Sequence, residues 1–203
     1  MNINDPQSGW NIPGLRTHGR HAKHKRPESI NSNRVPFLGW LPANFRNHFI
    51  ASSGEFVGTF LFLFFALSGT QVANTQPTPK SVTTEYASNP ALLMYISLAF
   101  GFSLAVNAWV FFRISGGLFN PAVTFGMCLV GALPWWRGLW LFIAQILGGI
   151  SSAAVVSALF PGNLNSETTL AGGTSVAQGL FIEMFCTAEL VFAIFMLAAE
   201  KHK

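Results

Sequence analysis

Ser115-Gly116-Gly117-Leu118-Phe119-Asn120-Pro121-Ala122-Val123-Thr124-Phe125 is the stretch on which the fold turns. Asparagine is a strong helix N-cap, and proline suits the first helical position because the N–H it lacks has no intrahelical partner there. In isolation Asn-Pro-Ala marks no more than a helix start. The apolar piece it opens runs from Asn120 to about Gly131, which as a helix reaches only ~17 Å, half a membrane. Length alone leaves two readings level: an amphipathic stub or loop, and a re-entrant half-helix stopping near the bilayer midplane. The flanking chain decides between them.

Four membrane-length apolar runs surround it, at about 49–73, 91–112, 138–160 and 177–199. Each is long enough for a helix to cross ~30 Å of hydrocarbon. None of the eleven prolines falls inside them; Pro90 and Pro134 precede helices and Pro161 follows one. An interior proline removes a helical hydrogen bond and clashes with the preceding turn, so this placement supports four helices. Half of the 203 residues are hydrophobic, 10% are charged and mean hydropathy is +0.40, against roughly 25% charged in a soluble globular domain. That excludes a water-soluble globule, a nucleic-acid binder and a disulfide-stapled secreted domain.

Set between the second and third crossings, the Asn-Pro-Ala start lies at membrane depth. If the Asn120 side-chain oxygen caps the helix, its NH₂ is free to point into a pore and donate to a water oxygen. The half-helix N-terminus carries a positive partial charge that disfavours cations there. A channel lining then outweighs a plain cap.

Residues 1–48 read as a mostly disordered basic tail, with seven Lys or Arg against Asp5 and Glu28. Trp40, Leu41 and Phe45 suit the headgroup zone. No signal peptide is expected, since the first apolar run begins only near residue 49. The tail's basic residues, Arg113, Arg137, Lys201 and Lys203 make eleven on one side of the four crossings, against Lys80 on the other. The positive-inside rule therefore puts both termini in the cytoplasm. Cys128 and Cys186 read as small core residues. His18, His21 and His24 could hold a metal only if the tail were helical, so no metal or cofactor is expected. Nor is an enzyme: the membrane part has no nucleophile–base pair, phosphate-cradling loop or metal cluster.

Glu55, Glu183 and Glu189 lie inside helices with no intramembrane Lys, Arg or His to pair with. Glu55 and Glu183 are expected to brace irregular segments by accepting hydrogen bonds from loop backbone. Glu189 is less defined. Glu55-x-x-x-Thr59 and Glu183-x-x-x-Thr187 echo one another as duplicated halves do. Gly54 and Gly58 give the first helix a small face for packing.

At this point the sequence resembles the aquaporin (major intrinsic protein) family, nearest to its fungal orthodox water channels. The resemblance covers residues 49–203 and rests on Glu55-Phe56-Val57-Gly58-Thr59-Phe60, Leu98-Ala99-Phe100-Gly101, the 115–124 stretch, Ala144-Gln145-Ile146-Leu147-Gly148-Gly149 and Glu200-Lys201-His202-Lys203. It implies an all-α integral membrane bundle and a tetramer in the plasma membrane. Of the family's six crossing helices and two half-helices, four and one are accounted for. Asn120 matches the first pore asparagine, with Pro121 and Ala122 shaping the contact to an opposing half-helix. Phe100 matches the phenylalanine of the outer aromatic constriction, as in water-selective members. Glu55 and Glu183 match the glutamates that hold the re-entrant loops. Leu118 departs from a histidine common among relatives.

The function so implied is a passive water-channel subunit embedded in lipid, moving water down osmotic gradients. The chain stops at Lys203 without counterparts of helices five and six, of a second Asn-Pro-Ala or of the constriction's histidine and arginine. It is therefore expected not to form a selective monomeric pore alone, since uncovered irregular backbone in lipid costs several kcal/mol per group. The alternative is a short regulatory form that associates with full-length subunits. An ion-coupled carrier using Glu189 is weaker, for want of a cationic partner.

Overall fold

The computed structural model describes residues 42–75, 89–170 and 172–199. Five helices follow in order: α1 (Ala43–Asn74), α2 (Pro90–Phe111), α3 (Pro121–Leu129), α4 (Trp135–Leu159) and α5 (Val176–Ala199). Among the described residues there is no strand. The chain is an all-α integral membrane protein, and α1, α2, α4 and α5 are each long and apolar enough to cross a bilayer. Helix α3, at nine residues, extends about 13 Å and cannot.

The bounds differ from expectation chiefly at the first helix. The tail was expected to reach residue 48, but helix begins at Ala43, after Pro42 in extended conformation. Phe45 and Phe49 extend the apolar period backwards, and nothing between them breaks a helix. Trp40, Leu41 and the three tail histidines lie outside the described residues. At α2 the Asn89 side chain accepts from the backbone N–H of Ala91 and Leu92, with Pro90 in the first turn. Helix α3 ends at Leu129, sooner than 131, because the chain turns at Gly131 with φ +75°.

Helix α1 packs on α2 and α4, and α3 packs on α4 and α5. Residues that meet across α1 and α4 advance in the same order along both helices, Glu55 with Gln145, Thr59 with Gly148 and Leu63 with Gly149, so the two helices run parallel. Gly148 allows the close approach: a Cβ there would meet the Phe56 carbonyl at 2.7 Å and Thr59 at 3.2 Å. A small core of Ala51, Leu118, Val123 and Leu141 sits where α1, α4 and the Asn-Pro-Ala segment meet. Most other large apolar side chains face outward; Trp109 is 88% exposed and Phe185 67%, as a lipid-solvated or assembled helix allows.

Candidate functional site

The segment 112–120 leads from α2 back into the protein and delivers Asn120 to the start of α3. Its path needs unusual backbone. Gly116 and Gly117 have φ of +109° and +65°, and Phe119 has φ +50°, a left-handed conformation costly for a residue with a Cβ. Gly117 is also sterically required, because a Cβ would meet the Ala108 carbonyl of α2 at 3.2 Å. The Phe119 ring, 3% exposed, packs edge-to-face on Phe111 with centroids 6.0 Å apart. It fills the hollow left by Gly58, where a Cβ would overlap that ring. Gly54 likewise faces Ile114 and Ser115. The small face of α1 thus receives the Asn-Pro-Ala loop rather than another helix.

Glu55, fully buried, fixes the two residues before Asn120. Its Oε1 accepts from the Leu118 N–H at 3.1 Å and its Oε2 from the Phe119 N–H at 2.8 Å. Gln145 of α4 donates its Nε2 to the same Oε2 at 2.9 Å and to Thr124 Oγ1 of α3 at 2.8 Å. The Thr124 hydroxyl lies 3.1 Å from Gln145 Oε1. Three helices are therefore joined through one carboxylate, which takes three neutral N–H donors instead of a cation. In a low-dielectric interior such satisfaction is what makes a buried carboxyl tolerable.

Asn120 is placed as its type dictates. Its Oδ1 accepts from the Ala122 N–H at 2.8 Å, and the first helical bond runs from the Thr124 N–H to the Asn120 carbonyl at 3.0 Å. Pro121 sits at the first helical position, where it has no N–H to lose. The Asn120 NH₂ donates to none of the described residues, and the side chain is half-exposed.

A cavity of about 530 Å³ lies between α2, the 112–118 segment, α3 and α5, lined by Leu104, Ala108, Leu118, Met127, Leu190 and Ile194 among others, with Asn120 outside its lining. Phe100 stands one turn before Leu104 on the same face of α2. It packs edge-to-face on Phe62 at 6.2 Å and is half-buried, at the cavity's end but not among its lining residues. Glu183 and Glu189 are exposed on α5 and hydrogen-bond to no described residue. Cys128 is buried, Cys186 is exposed and both are free. Among the described residues no cluster could hold a metal.

Two participants escaped the sequence reading. Gln145 appeared there only as part of a family stretch, and Thr124 only as a neighbour of Pro121. The available sign was that a glutamine in a membrane helix, like a glutamate, must find a partner.

The family profile described as "Major intrinsic protein" matches residues 43–203. The chain belongs to the major intrinsic protein family. It is 58% identical to "Aquaporin-7" of Botryotinia fuckeliana over all of this chain and 50% of that protein. It is 59% identical to that organism's "Aquaporin-5" over 84% of this chain and 32% of the relative. "Probable aquaporin-5" of Gibberella zeae is 55% identical over 88% of this chain and 33% of the relative. The chain thus spans half or less of these relatives' lengths. The relatives are named aquaporins, which are channels and not enzymes.

Proposed function

We propose that this chain supplies one wall of a passive water pore. The observation that supports this most is the division of labour at Asn120: its oxygen is spent on the Ala122 N–H, and its NH₂ is left to a permeant. A water molecule arriving there is offered a donor by the amide, so its oxygen turns toward the half-helix. Held in that orientation, it cannot both donate and accept along the file, and the positive helix end repels cations. No bond is made or broken; flow follows the osmotic gradient.

Pro121 and Ala122 present a small surface suited to an opposing segment. Phe100 narrows the approach on the far side of the cavity, and its bulk favours water over larger solutes. Glu55 keeps Asn120 in register through Leu118 and Phe119, and Glu183 serves a corresponding segment that faces α5. The chain sits with both termini in the cytoplasm, at the plasma membrane, and assembles as a tetramer. The wall opposite Asn120 comes from a further membrane segment, because no described residue of α5 is fully buried.

The test is stopped-flow osmotic shrinkage of proteoliposomes containing the 203-residue chain, beside empty vesicles and an Asn120→Asp variant. Shrinkage should exceed that of empty vesicles when the part of a relative that lies beyond the matched region is co-reconstituted with the chain, and Asn120→Asp should remove the gain. Acceleration indifferent to Asn120→Asp would overturn the role given to Asn120.

A further inference from the structure

The end of the bundle at which α1 and α4 begin carries two basic side chains that the water pathway does not use. Ala51 of α1 and Leu141 of α4 share the small core. His48 precedes Ala51 by three residues and Arg137 precedes Leu141 by four, so each lies about one turn before that contact on the same face of its helix. Because the helices run parallel, the two residues come to one level, about 5 Å beyond the core. His48 Nδ1 and Arg137 Nε are both shut off from solvent, and neither has a hydrogen-bond partner. A buried guanidinium N–H without an acceptor is costly, so the pair calls for a group that accepts.

No described carboxylate supplies one. Glu55 is already taken by Leu118, Phe119 and Gln145. Glu167 lies at the opposite end of α4. Glu183 and Glu189 stand on α5, which has only α3 as a helix neighbour among the described residues. Helix α4 does not cap itself either: Pro134 has no side-chain acceptor, so the first-turn N–H groups add a positive partial charge beside Arg137.

The surroundings indicate which anion fits. Trp136 and Trp140, exposed beside Arg137, pack edge-to-face with centroids 5.6 Å apart. Phe45 and Phe49 are exposed on α1 around His48. Aromatic side chains at the ends of crossing helices sit at headgroup level, where the abundant acceptor is a lipid phosphate. The rings can cover the glycerol and first methylenes of that lipid; a free anion would use the nitrogens and not the rings. A choline headgroup would bring another cation next to Arg137, so a lipid of net negative charge fits better.

We propose that His48 and Arg137 seat the phosphate of an anionic glycerophospholipid in the leaflet where α1 and α4 begin. Arg137 supplies a charge-assisted N–H and His48 an imidazole N–H. The lipid pins together the starts of the two helices that carry Glu55 and Gln145. This site is independent of the role given to Asn120.

The test places the full 203-residue chain in phosphatidylcholine vesicles containing brominated phosphatidylserine or brominated phosphatidylcholine. Tryptophan quenching then gives the relative affinity of the two lipids. The serine lipid should be preferred about tenfold. Arg137→Gln should lower that preference about fivefold, as for one cation near a membrane surface, and His48→Ala about twofold. Arg137→Lys keeps the charge without the planar fork and should fall between wild type and Arg137→Gln. Arg113→Gln removes an exposed arginine of the same face and should change the preference less than about twofold, since diffuse surface attraction is screened by salt.

Equal quenching by the two lipids overturns the proposal. So does a preference that falls as far with Arg113→Gln as with Arg137→Gln, which marks attraction to the whole face and not a seat. Thermal unfolding in detergent separates lipid from free anion. Short-chain phosphatidylserine should raise the wild-type midpoint and leave that of Arg137→Gln in place, while inorganic phosphate at the same concentration should move neither. If phosphate alone reproduces the shift, the site takes a free anion and the lipid reading falls. Should Arg137→Gln not fold, Arg137→Lys and His48→Ala decide by the same comparisons.

Discussion

Three N–H donors converge on the Glu55 carboxylate from Leu118, Phe119 and Gln145, and the balance between oxygens and donors sets what a substitution costs. Glutamine at position 55 keeps one oxygen and turns an NH₂ toward a donor, leaving one amide unsatisfied at about 1–3 kcal/mol. Alanine leaves all three without an acceptor and should cost more than about 3 kcal/mol. Thermal unfolding in detergent should therefore rank wild type above Glu55→Gln and Glu55→Ala lowest. An alanine variant that melts with the wild type would mean the carboxylate holds nothing. Changing Gln145 to leucine strands Thr124 as well as one Glu55 lone pair, so its effect should not add to that of Glu55→Gln.

At the scale of elements, α3 depends on a fit that belongs to two segments at once. Phe119 holds a left-handed φ of +50°, and what keeps it there is the hollow over Gly58 together with the bonds from Glu55. Gly58→Ala drives a methyl into that ring and should destabilise by about 1–3 kcal/mol, as overpacking does. Gly54→Ala, whose methyl would meet Ile114 at 3.0 Å, should cost less. Phe119→Ala vacates the hollow, so Gly58→Ala made in that background should cost much less than in the wild type. Additive effects in this double-mutant cycle, read by the same melting assay, would show that the ring and the glycine do not press on each other.

These elements also show what sequence could and could not convey. Asn120 and Pro121 announce their own positions, because capping and a missing N–H are local chemistry. The four long helices are equally local, being set by length and proline placement. Gly54 and Gly58 declared a close approach but not its partner, and Gln71 gave no hint that its amide pairs with the backbone of 163 and 165. Contacts between residues some ninety positions apart depend on how α1 and α4 register, which no single stretch encodes. The start of α1 at Ala43 was hidden by Asn44, Arg46 and His48, polar residues that a membrane helix can carry once it has emerged from the hydrocarbon.

For the whole molecule the open matter is which way it sits in the bilayer, and the charges make that a sharp expectation. Arg113 follows α2 and Arg137 lies in the first turn of α4, so both belong to the face where α1 begins. The six basic residues that precede α1 and Arg46 in its first turn reinforce that face. The opposite face, where α1 and α4 end, carries Glu167 among its described residues. Because loop Lys and Arg resist translocation, the Arg-bearing side should remain cytoplasmic. In a chain with Cys128 and Cys186 changed to serine, Ser166→Cys should react with a membrane-impermeant maleimide on intact cells, and Ala132→Cys only after permeabilisation. Reversing Arg113 and Arg137 to glutamate should leave this pattern unchanged, since the tail's charges still favour the same face. If the double reversal inverts the labelling, the two loop arginines set the topology and the tail does not.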